Sequence, residues 1–84
     1  MQVREQLRLF YVMANDWCAL YCNGEIYDQN HSLHWPWLLE MLVGKGDIIS
    51  FQRAELIDAG EAWLEELGSF PDTESEIPVE GLYK

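Results

Sequence analysis

Leu20-Tyr21-Cys22-Asn23-Gly24-Glu25-Ile26-Tyr27 decides the fold. Asn-Gly between two runs of strand formers marks a two-residue hairpin, because a type I′ turn needs φ > 0 at both central positions and these residues tolerate it best. Upstream, Val3 to Ala14 is rich in strand formers. Its alternating sets, Leu7-Leu9-Tyr11-Met13 and Arg8-Phe10-Val12, are both largely apolar, which suits a buried strand better than an edge. Asn15-Asp16 is a turn signal and Trp17 to Cys22 a second strand. Residues 7–27 therefore read as a three-stranded antiparallel meander.

Downstream, Asp28 to His34 is polar and irregular. Trp35-Pro36-Trp37 opens a helix, with Pro36 in the first turn, where its missing N–H costs nothing. Trp37, Leu38, Met41 and Leu42 recur at helical spacing up to Val43, and Gly44 is a natural stop. Gly44 to Asp47 is a loop and Ile48 to Phe51 a short fourth strand. The clearest periodicity covers residues 54–67. At ~100° per residue, Leu56, Ile57, Gly60, Trp63, Leu64 and Leu67 share one arc, and Glu55, Asp58, Glu61, Glu65 and Glu66 the opposite one. The favoured reading is one helix over 54–67 with an acidic outer face. Its rival carries the strand through Ala54–Leu56 and starts a shorter helix at Asp58, with Asp58 and Glu61 as a capping-box-like pair. The expected fold is α+β: a four-stranded antiparallel sheet in the order β-β-β-α-β-α, with both helices on one face. Residues 1–68 make the domain, and 69–84 an acidic, Pro-punctuated tail packed on it.

The chain has 84 residues, 15 Asp+Glu against 5 Lys+Arg, and a formal charge of −10. That length holds one domain with a small core. With 49% hydrophobic residues, the composition is not that of a disordered chain. No apolar run approaches a membrane span, and no apolar stretch with a cleavage site follows Arg4 and Arg8, so neither an anchor nor a signal peptide is expected. Two Cys make no disulfide framework and favour a reducing, cytoplasmic setting (the host cytoplasm for a phage protein). Direct binding to nucleic acid or an anionic membrane needs a basic patch, which this balance of charge excludes.

The acids are not evenly spread. Residues 1–53 carry six acids and four bases, while residues 54–84 carry nine acids and only Lys84. A solvated helix face usually mixes signs, because Glu–Lys pairs stabilise and like pairs repel. Glu55 to Glu66 would place five carboxylates along ~16 Å of helix axis, or ~3 Å per charge, near the ~3.4 Å per phosphate of one DNA strand. The candidate partner-binding residues are thus Glu55, Asp58, Glu61, Glu65, Glu66, Asp72, Glu74, Glu76 and Glu80. They would meet a basic surface, most naturally that of a nucleic-acid-binding protein or complex. In size and charge this is similar to the small phage-encoded inhibitors of restriction or CRISPR complexes, though no family motif carries the likeness. Acidity also serves plain solubility.

A second candidate surface is aromatic. Trp35 and Trp37 are interface-prone residues, and an assembly protein using them and the strand edges would be expected to form a homodimer. Cys18, Cys22, His31 and His34 have the residue order of a zinc finger, but not its spacing, and on a strand the two Cys stand ~13 Å apart. No metal site and no cofactor is expected. Gly44-Lys45-Gly46 lacks the remainder of a phosphate loop, and no nucleophile–base pattern is present, so no catalytic residue is assigned and the chain is not expected to be an enzyme.

Overall fold

The computed structural model describes residues 4–78. In chain order these form β1 (Glu5–Met13), β2 (Cys18–Cys22), β3 (Glu25–Asn30), α1 (Trp35–Lys45), β4 (Gly46–Glu55), α2 (Asp58–Leu67) and one 3₁₀ turn at Glu74–Glu76. The order β-β-β-α-β-α is as expected. Asn23 (φ 52°) and Gly24 (φ 85°) make the predicted hairpin turn. The Asn23 side chain ties the turn back to β1: its Oδ1 accepts the Arg8 N–H at 2.9 Å, and its Nδ2 donates to the Gln6 carbonyl at 3.1 Å.

The sheet runs β3-β2-β1-β4. β1–β2 and β2–β3 are antiparallel, as the meander requires. β4, however, lies parallel to β1, so the sheet is mixed rather than antiparallel throughout. The reason is topological. A helix crossover reverses the chain twice, so β4 runs in the direction of β3, which is also that of β1.

The helices also divide between the two faces instead of sharing one. Leu7 and Leu9 of β1, with Cys18, Leu20 and Cys22 of β2, meet Leu38 and Leu42 of α1. Val12, Ala19 and Tyr21 point the other way and meet Leu56, Leu64, Phe70 and Ile77. Both sides of β1 and β2 are apolar, and each side needs a cover.

The boundary between β4 and α2 follows the rival reading. Ala54 and Glu55 pair with Val12 and Met13, and the Leu56 N–H donates to the Met13 carbonyl at 2.9 Å. The helix therefore starts at Asp58 and not at 54. Ile57 is its N-cap, with no side-chain cap bond, so the Asp58–Glu61 pair does not form a capping box. Gly68 closes α2 in the left-handed region (φ 88°), its N–H bonded to the Leu64 carbonyl. α1 continues past Gly44 to Lys45, with Pro36 in its first turn and Gly46 after its end. Gly46 is buried against β1, where a Cβ would run into the Glu5 carbonyl oxygen. Arg4 locks this corner. Its Nε pairs with Asp47 at 2.8 Å, and its Nη2 donates to the carbonyls of Val43 and Gly46.

After α2 the chain returns across the second face. The Tyr21 hydroxyl donates to the Pro71 carbonyl at 2.7 Å. Gln29 serves two elements at once: its Oε1 accepts from Trp17 Nε1 (2.8 Å) and from the Phe70 N–H (2.9 Å). Thr73 then bridges Glu25, and Ile77 is buried.

Candidate interaction surfaces

The candidate acids fall into three groups. Glu55 is exposed at the end of β4. Asp58, Glu65 and Glu66 are exposed on α2, while Glu61 is half-buried. Both Glu61 carboxylate oxygens accept the Asn15 N–H, at 3.1 and 3.0 Å, so this acid is engaged by the β1–β2 turn. Asp72, Glu74 and Glu76 lie beyond the far end of β2. There the Glu74 N–H donates to the Gly24 carbonyl, and Glu76 Oε2 accepts from Thr73 N (3.2 Å) and Oγ1 (2.8 Å) in a capping box. Glu80 lies outside the described residues.

The five-carboxylate helical row is therefore not formed. Glu55 is on a strand, Glu61 turns inward, and the acids of the tail sit at the opposite end of the sheet. What persists is the lack of neutralisation. Among the described residues the single ion pair is Arg4–Asp47, in which none of these acids takes part. α2 has no base in its last turn, where Glu65 and Glu66 meet the negative end of the helix dipole.

The two tryptophans divide. Trp35 is half-buried, its ring edge-on to Tyr11 (centroids 5.0 Å apart) and to Phe51 of β4 (6.1 Å). Trp37, two residues on and ~200° around the helix, is 52% exposed. Around Trp35 the structure gathers residues that the sequence reading did not select. Leu39 and Val43 follow Trp35 at four-residue steps, so the three share one ridge of α1. Contact between Trp35 and Phe51 turns that ridge toward β4. Leu39, Val43 (58%), Ile48, Ile49 and Phe51 (51%) are all exposed. The signal was present in the composition of α1: Glu40 and Lys45 are its only charged residues. A helix apolar all round has two faces to cover, and the sheet covers one.

β4 completes this surface. It is the edge of the sheet, ten residues long, and only Gly46 and Ala54 in it are buried. The register jumps from Leu7↔Ile48 to Arg8↔Ser50, so Ile49 bulges and the regular edge runs from Ser50.

The cysteines and histidines serve other ends. Cys18 and Cys22 are buried free thiols, and the Cys18 Sγ–H donates to the Asn30 carbonyl at 3.3 Å. His31 Nδ1 contacts the Asp16 carbonyl at 2.8 Å, with its ring edge-on to Trp17, while His34 is exposed before α1. Among the described residues no group of three His, Cys, Asp or Glu is placed to hold a metal ion. Burial pushes the Cys22 thiol up, which keeps it protonated and unreactive. Burial and a hydrogen bond with Cys18 push the Tyr11 phenol up to about 12. No helix among the described residues is long and apolar enough to cross a membrane.

The chain matches no protein-family model, no curated protein and no solved structure.

Proposed function

We propose that this chain is a non-enzymatic binding protein that acts by protein–protein contact, with the α1–β4 face as its principal surface. One observation carries the reading: Leu39 and Val43 of α1 stand exposed beside Ile48, Ile49 and Phe51 of β4, a ten-residue strand whose outer edge has no partner strand among the described residues. They expose on the order of 400 Å² of apolar surface, within the size range of the largest patch on a typical monomer, which is often functional. A photo-crosslinking residue at position 39 tests it. Crosslinking to a protein, whether foreign or a second copy, is expected. A probe that stays uncoupled in lysate and in concentrated pure protein would remove the reading.

The acidic face supports a second contact. Asp58, Glu65 and Glu66 are exposed, have no ion-pair partner among the described residues, and include two carboxylates set against the helix dipole at a cost in stability. A basic partner would relieve that cost. This keeps the proposal of an inhibitor that occupies a nucleic-acid-binding surface, of the phage-encoded anti-restriction or anti-CRISPR kind. It now rests on the sign of the charge and no longer on phosphate-like spacing. Capture of a basic partner at low salt and its release at ~0.5 M salt is expected, since the Debye length shrinks accordingly. Capture indifferent to salt would count against it. The two contacts are compatible, because α1 and α2 lie on opposite faces of the sheet.

A further inference from the structure

We infer that the occupant of the α1–β4 face is a second copy of this chain, joined β4 to β4, antiparallel, about a twofold axis normal to the sheet. The inference rests on the reading of that face as a contact surface and adds the identity of the partner. Charge is the first argument. Arg4, Lys45 and Arg53 lie on α1 and β4 or against them, and so do Glu40, Asp47 and Glu55. This region is neutral, so the −10 of the described residues, 14 acids against 4 bases, is carried elsewhere on them. A basic partner is drawn to the acidic side, whereas a second copy meets less repulsion at this neutral region than at the acidic one.

Closure is the second argument. The other sheet edge, β3, carries Glu25 and Asp28, and Thr73 bridges its first residue. Stacking of β4 on the β3 of another copy, which would grow open strings, is disfavoured by that blunted edge. Pairing of β4 with itself closes after two chains.

Side-chain register is the third. Phe51 and Arg53 pair with Leu9 and Tyr11, and so project from the α1 face, while Gln52 and Ala54 project from the other. Opposed residues of an antiparallel pair share a face. With Gln52 on the axis, Arg53 stands opposite the partner's Phe51 and makes a cation–π contact twice over. The same axis brings the two Trp35-Leu39-Val43 ridges toward each other on one side of an eight-stranded sheet. Apolar side chains then supply about half of the ~800 Å² that each partner of a standard interface buries, and the strand edge supplies the rest.

Sedimentation of the full chain over roughly micromolar to millimolar concentration tests this. A particle of twice the 9.8 kDa chain mass is expected, with dimerisation weakened at least ~30-fold by Phe51→Glu and by Val43→Glu. Both positions are exposed, and unchanged circular dichroism of the variants would show that the fold survives. Gln52→Cys should give an interchain disulfide across the axis, since the native thiols are buried. A monomer at every concentration, or a dimer that both charge insertions leave intact, overturns the inference. In the monomer case the position-39 crosslinker separates the two failures. A foreign protein coupled there removes only the second copy, and no coupling removes the contact surface as well.

Discussion

α1 and α2 are nearly equal in length, 11 and 10 residues, and each covers one face of the same sheet. They differ in what they offer to solvent. α2 turns Leu64 and Gly60 inward and Asp58, Glu65 and Glu66 outward, and exposes one large apolar side chain, Leu67 at its C-terminal end. α1 turns Leu38 and Leu42 inward and still exposes Trp37, Leu39, Met41 and Val43. The difference teaches where to look for a contact. A helix with a polar outside is finished by its own fold, and one without it is finished by something else.

The comparison breaks most readily at the inner and outer positions of α1. Leu42→Ala opens a cavity beneath the helix and should cost ~2–5 kcal/mol in urea unfolding, because Leu42 is fully buried. Leu39→Ala, on the outer ridge, should leave the stability of the monomer within ~0.5 kcal/mol and weaken only the contact it serves. Equal losses at both sites would mean that the outer ridge is covered within the chain. Gly46→Ala comes next. Its Cβ collides with the rigid Glu5 carbonyl at the corner where α1 becomes β4, so a loss of ~1–3 kcal/mol is expected.

A smaller effect distinguishes the face under α1 by pH. Tyr11 lies on that face, with its phenol pushed up to about 12 from 10.0 chiefly by burial. Because the folded value exceeds the unfolded one, the unfolded chain loses its proton first. The contribution is fully present below pH 10 and is lost as pH rises toward 12. Unfolding curves between those limits should show the loss, and Tyr11→Phe should flatten it. An unchanged slope in the variant would assign the alkaline loss to other groups.

Much of this architecture is readable from local residues, and the failures have a common physical cause. Asn23-Gly24 and Pro36 act through their own backbone, and both do in the fold what they promise in the sequence. Ala54 and Glu55 suit a helix equally well by pattern. They become strand because the edge of β1 offers hydrogen-bond partners at Val12 and Met13, more than forty residues away. The division of the helices between faces was implicit in β1, whose two alternating sets are both apolar, yet the direction of β4 depends on the crossover. The acidic row failed at Glu61 for a similar reason: the Asn15 N–H that holds it is 46 residues distant. Trp35 and Trp37 were legible only as a pair of interface-prone aromatics; which of them is exposed, and the Leu39–Phe51 surface, depend on the packing of Trp35 between helix and strand.

The smallest expected effect concerns the outer face of α2, and it tests whether those carboxylates serve the fold. Glu65 follows Glu61 by four residues and stands in the last turn, so it meets a like charge and the negative end of the dipole together. Glu65→Lys removes both penalties and creates a Glu–Lys pair in the favourable order, so it should stabilise the protein by ~0.3–1 kcal/mol. Glu61→Gln, in contrast, weakens a charge-assisted acceptor for Asn15 and should destabilise by about 1 kcal/mol. Added salt should shrink the gain at Glu65 by screening. Urea midpoints of the two variants at low and high salt decide the matter. Opposite signs would show that one acid of α2 holds the fold while its neighbour weakens it, leaving the neighbour free for a partner. Destabilisation by both would mean that the acidic face has a structural role and that no external cation is needed to explain it.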